Sequence, residues 1–202
     1  MKKVINLFCV LTGLILLSSC TLFLDNKHDC QPRETTTEKF SDNDRTKIPY
    51  KTGTDTLTFM HYPSNIAHDF YGLGMLNGFS PVSYSRDIEC PNDIANCEYQ
   101  TYKYESQTIS DAIYIAYYVP NRDKATHANF KFKTKIFDCV MGEFGATVNY
   151  NALEIQGKIF NNVYRLAGSE DVYDTTSYLL YSNSDGIIKI KFSNQDYWEI
   201  VK

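Results

Sequence analysis

"NFKFKTKIF" runs from Asn129 to Phe137, and its alternation decides the fold class. Phe130, Phe132 and Ile136 fall on one side of an extended chain; Lys131, Lys133 and Lys135 fall on the other. Successive side chains of a strand point to opposite faces, so a period of two marks one buried face and one wet face. The stretch is expected to be a single amphipathic strand with its lysines in solvent.

The same period recurs on both sides of it. "DTLTFM" (55–60) puts Leu57 and Phe59 together, and "EYQTYKYES" (98–106) pairs Tyr102 with Tyr104. "DAIYIAYYV" (111–119) aligns Ile113, Ile115, Tyr117 and Val119, with Ala112, Tyr114, Ala116 and Tyr118 opposite, so both of its faces are expected to be covered. The last third reads as a meander. "ALEI" meets "KIFNNVYRL" across Gln156-Gly157, "SYLLYS" meets "IIKIKF" across Asp185-Gly186, and "YWEIV" follows. Sixteen Tyr and twelve Phe against ten Gly and six Pro suit pleated, half-buried surfaces. The expected fold class is all-β: an antiparallel sandwich or open half-barrel of roughly nine or ten strands with one long insert.

That insert, residues 61–97, lacks clear alternation. Within it "SNIAHDFYG" reads as a short helix with Ser64 as N-cap, and "GLGMLNG" reads as loop. Residues 21–47 mix both charge signs with Thr, Ser, Asn and Asp, and are expected to form a flexible tether ahead of a domain over 48–202.

The N-terminus carries a different signal. Lys2 and Lys3 precede an apolar run, Val4 to Leu17, of secretory length and short of the roughly 20 residues a spanning helix needs. The run ends in Leu17-Ser18-Ser19-Cys20, which resembles the lipobox of bacterial lipoproteins. The resemblance implies that residues 1–19 are a signal peptide. It also implies that Cys20 receives a diacylglyceryl group and, after cleavage, an acylated amine, palmitate being a usual acyl chain. Two or more chains anchor stably where one is marginal. The tail, "GKIFNNVYRL" through "DYWEI", resembles β-rich lipoproteins common in the Bacteroidota. That likeness implies an exported β domain and brings no activity. "TLFLDN" after Cys20 departs from the acidic surface-export signal of that phylum, so an outer-membrane anchor facing the periplasm is expected.

Beyond Lys2 and Lys3 the chain holds 18 basic against 24 acidic residues, which argues against a nucleic-acid partner. With Cys9 in the signal and Cys20 lipidated, Cys30, Cys90, Cys97 and Cys139 remain. An even set in an exported chain reads as disulfides, with three connectivities. The short "CPNDIANC" loop favours Cys90–Cys97, leaving Cys30–Cys139.

Motifs of chemistry are sparse. No G-x-S-x-G elbow occurs, and the C-x6-C spacing differs from structural zinc. No catalytic residue, metal or cofactor is assigned. His61 and His68, with Asp69, are the one group that would suit a metal or a shared proton, an enzymatic alternative confined to residues 61–69. The aromatic insert favours non-enzymatic binding, with His61, Tyr62, His68, Phe70 and Tyr71 as candidate contacts for a protein, glycan or apolar ligand. The other reading is a structural role in envelope assembly.

Overall fold

Twelve strands of the computed structural model join in one sheet. It describes residues 36–84, 93–119, 126–141, 149–168, 177–192 and 195–201. Cys20, Cys30 and Cys90 lie outside them. By internal contacts the chain divides into Thr35–Val82 with Ala95–Lys202, and Met1–Glu34 with Ser83–Ile94. The fold below is that of the former; the described residues of the latter are the ends of two strands.

The elements, in chain order, are β1 (Thr36–Glu38), α1 (Asp42–Thr46), β2 (Thr56–Tyr62), β3 (Ile66–Tyr84), β4 (Asp93–Ser106), β5 (Ala112–Tyr118), β6 (Thr126–Phe132), β7 (Lys135–Met141), β8 (Tyr150–Ile155), β9 (Lys158–Ala167), β10 (Tyr178–Ser182), β11 (Gly186–Lys191) and β12 (Tyr197–Ile200). The sheet order is β7-β6-β5-β4-β3-β2-β12-β11-β10-β9-β8, with β1 parallel to β4. Every other neighbouring pair with a defined register is antiparallel. The expected all-β, open antiparallel architecture is therefore present, with twelve strands in place of nine or ten.

Alternation sets the rungs of the buried face. Tyr104 faces Ile113, and Ile113 faces Phe132; Tyr102 faces Ile115, and Ile115 faces Phe130. A sheet this wide curls rather than staying flat. Phe132 meets Trp198 at 5.2 Å and Phe130 meets Tyr181 at 5.1 Å, contacts between strands far apart in the sheet order. An isolated bridge, Phe137 to Gly168, brings β7 to the end of β9, but among the described residues no ladder closes a barrel. The concave face is filled by side chains. Burying a Phe such as Phe59, Phe70, Phe130, Phe132 or Phe160 contributes about 1.5–3 kcal/mol each.

Three expectations meet corrections. First, "NFKFKTKIF" is a hairpin, not one strand. Lys133, at φ 53, and Thr134 form the turn between β6 and β7. The turn shifts parity, so Phe137 faces Phe130 in the core, while Lys135, not Ile136, stands opposite Phe132.

Second, the described part of the 61–97 insert is mostly strand, and "SNIAHDFYG" is not a helix: Ser64 and Asn65, at φ 54, lie in the β2–β3 turn, and the chain is extended from Ile66. β3 runs 19 residues through "GLGMLNG". Its period was hidden by exposed apolar residues and by glycines. Gly72 is required because the backbone of residues 53–55 crosses it: a Cβ there would lie 2.1 Å from the Gly53 carbonyl oxygen. Third, residues 36–47 belong to the domain. Ser41 caps α1 in a reciprocal capping box with Asp44, and Phe40, Ile48 and Tyr50 enter the core.

Candidate functional site

The sequence candidates split between the two faces of the sheet. His61 on β2 pairs in register with Trp198 on β12 and stacks on its indole at 4.4 Å. His68 on β3 faces the same indole at 5.2 Å, and Phe70 lies at 6.0 Å from it. The alternation of β2 and β3 sends Tyr62 and Tyr71 to the other face. Tyr62 stacks on Tyr197 at 4.6 Å, and Tyr71 is exposed. Asp69 also faces outward, where its Oδ1 accepts from Thr58 Oγ1 at 2.6 Å. His61 and His68 thus stand 6.3 Å apart, ring to ring, while Asp69 is not with them. Among the described residues no three His, Cys, Asp or Glu groups are placed to hold a metal ion.

A cation takes part in the histidine cluster instead. The β6–β7 turn places Lys133 Nζ 5.1 Å from the Trp198 ring centroid, 5.2 Å from Phe192 and 5.7 Å from Phe132. This is a three-ring cage around an ammonium, each contact worth about 0.5–2 kcal/mol according to its desolvation. Hydrogen bonds fix the imidazoles: His61 Nε2 with Asp196 Oδ1 at 3.2 Å, His61 Nδ1 with Ser64 Oγ at 2.9 Å, and His68 Nδ1 with Thr108 Oγ1 at 2.8 Å. Burial lowers the His68 pKa below 6.5, and the charges of His61 and Lys133 push it the same way. His68 is therefore neutral at pH 7. Sequence periodicity missed Lys133 because it reads as one more solvent-facing lysine.

The outward face of β3–β5 has another character. Leu73, Leu76, Tyr71 and Tyr114 are exposed there, Leu76 by 63%. Gly74, at φ 105, interrupts the phase of β3; beyond it Met75 turns toward the Tyr102 hydroxyl, which donates to its Sδ at 3.4 Å. A groove of about 460 Å³ is lined by Phe79, Val82, Tyr99, Ala116 and Tyr118, among others. A second, about 370 Å³, lies between Leu73, Leu76, Lys103 and Tyr114. These volumes suit a small ligand or the side chains of a partner.

The cysteines give less than the count suggests. Cys97, on β4, is free and buried; burial raises its pKa, and Glu38 adds to the shift. Its expected partner, Cys90, lies outside the described residues, as does Cys30. Cys139 is in β7, with its backbone paired to Ala128. Each expected pair, Cys90–Cys97 and Cys30–Cys139, thus includes a cysteine outside the described residues, and among the described residues no cysteines stand at disulfide distance. Set beside known proteins, the chain matches no family model, no curated protein and no solved structure.

Proposed function

We propose that this chain is a lipid-anchored envelope protein that works as a non-enzymatic binding module for a protein partner. The anchor is Cys20, and the reading places the domain on an outer membrane facing the periplasm. Leu17-Ser18-Ser19-Cys20 supports the anchor, and the acidic balance beyond the signal supports a partner other than nucleic acid.

One observation carries the binding reading. Leu73, Leu76 and Tyr114 gather large exposed apolar side chains on neighbouring strands, beside two grooves, while the concave face is packed with its own rings. Scattered exposed apolar residues are ordinary, whereas a contiguous group marks an interaction surface. A protein suits it better than a buried lipid, because the interior has been spent on packing.

Labelled palmitate should enter the wild-type chain and not Cys20→Ser; equal labelling of both would refute the anchor. A photo-crosslinking residue at Leu76 should give a discrete adduct in intact cells. The same residue at Ile159, exposed on β9, is the control. Matching patterns at the two sites would remove the assigned surface.

A further inference from the structure

The strongest unassigned feature is the edge of β3 beyond Gly74. β2 pairs with β3 from His61–Ile66 to Thr56–Tyr71. The backbone continues that pairing for two more bonds, Gly72 N–H to the Asp55 carbonyl at 3.0 Å and Gly74 N–H to the Gly53 carbonyl at 2.8 Å. There it stops, because the chain at Tyr50 turns into the core. β4 flanks β3 on its other side. Among the described residues no strand takes the vacated side of Met75–Val82.

The sequence of that segment, "MLNGFSPV", agrees. Pro81 lies within β3, and proline inside a sheet is confined to edges and bulges because it has no N–H for the ladder. Pro81 blunts the far end of this edge, and the residues before it, Met75–Ser80, carry no blunting charge or proline. Met75, Leu76 and Phe79 are exposed. A row of backbone groups that no described strand pairs, set between apolar side chains, is a template for strand addition.

The surroundings select the occupant. A cleft of about 180 Å³ beside Met75 is lined by Arg45, Ile48, Tyr50, Lys51, Gln100 and Tyr102. Arg45 is already engaged with Glu98, at 2.8 Å. Lys51 is not: its Nζ is held by the carbonyl oxygens of Ile48 at 3.0 Å and Arg45 at 3.3 Å, and no carboxylate pairs with it among the described residues. A second copy of this chain, added edge to edge, would bring another Lys51 and no acid from "MLNGFSPV". We infer that the Met75–Ser80 edge of β3 accepts an extended segment of a different protein, as an added strand carrying a carboxylate toward Lys51. This rests on the binding-module reading and names the partner's chemistry.

The test uses the full chain and fluorescein-labelled eight-residue peptides alternating valine and threonine. One glutamate is scanned through the four threonine sites, with a matching lysine series. Anisotropy should show at least one glutamate peptide binding ten-fold or more tighter than its lysine counterpart. Lys51→Glu should reverse that order while circular dichroism stays unchanged. N-methylating the amides on one edge of the best peptide should abolish binding, and on the other edge should change it less than two-fold. Absence of binding across the series, equal effects of the two methylation patterns, or an order unchanged in Lys51→Glu would each overturn the assignment. So would concentration-dependent dimers broken by Asn77→Pro. A Leu76 crosslink that persists alongside such a failure would leave the binding module standing and remove only the edge.

Discussion

His68 is a buried imidazole whose neighbours are a second imidazole, His61, and an ammonium, Lys133. Its pKa is lowered in the folded state, so between that value and 6.5 the unfolded chain binds the extra proton. Stability therefore rises with pH across this window. The contribution is complete above 6.5 and is lost as pH falls toward the folded-state value. Burial lowers the pKa of His127 too, adding a loss of the same sign. Urea midpoints should fall from pH 7.5 to pH 5, and His68→Gln should flatten part of that slope. Lys133→Met, by removing one positive charge, should raise the His68 pKa in an NMR titration; an unchanged value would remove Lys133 from the causes of the shift.

Gly186 is a second residue-scale constraint. It has φ 80, and a Cβ there would sit 2.2 Å from the Tyr50 hydroxyl oxygen. That oxygen accepts the Ile187 N–H at 2.7 Å. Gly186→Ala combines left-handed strain with a clash, and should cost about 2–4 kcal/mol in chemical denaturation. Cys97 gives a covalent readout. Alkylation of the unfolded chain without reductant should label it, and labelling of the folded chain should be much slower, by mass spectrometry. Label appearing only after reduction would contradict a free thiol.

At the scale of elements, the strap formed by β1, α1 and the chain to Tyr50 is held by a few polar contacts. Glu98 Oε2 accepts from the Phe40 N–H at 3.0 Å, and both its carboxylate oxygens accept from Arg45. Tyr181 donates to the Lys47 carbonyl at 2.8 Å and shares a 2.9 Å hydrogen bond with Tyr117. Glu98→Ala would leave a buried N–H unpaired. It should cost about 1–3 kcal/mol, the lower end because Arg45 is partly exposed. Hydrogen exchange should quicken over residues 36–50 before the central strands; uniform quickening would deny the strap any independence.

Elements also show how far periodicity could be followed. β5 was legible because Ile113, Ile115 and Tyr117 recur at every second position, and β11 because Ile188 and Ile190 alternate with Lys189 and Lys191. The β6–β7 turn was not, since Lys133-Thr134 continues the lysine rhythm of "KFKTK" across a change of direction. β3 was not, because a strand with apolar residues in solvent has no contrast between its faces. The mixed-charge, Thr-containing composition of residues 36–47 resembles a tether, yet Phe40 within it and Ile48 just beyond it take core positions.

For the whole molecule, the consequence is a sheet whose interior is consumed by its own aromatic rings and whose chemistry is displaced to edges and rims. Truncation of residues 36–50 should therefore give an aggregating chain rather than a smaller stable domain, because Ile48 and Tyr50 leave the core open. A soluble, cooperatively unfolding truncation would show that the curled sheet needs no strap.

The sequence by itself determined an antiparallel all-β fold, because alternation is a local property and each strand carries its own record of which face is buried. It also carried the pattern behind the expected anchor at Cys20. Only the tertiary structure decided that His61 and His68 meet Trp198 and Lys133 while Asp69 turns away. It alone decided that one side of β3 past Gly74 stays unpaired by any described strand. Those outcomes depend on register and curl, which join residues far apart in the chain, and no short window of sequence contains both partners of such a contact.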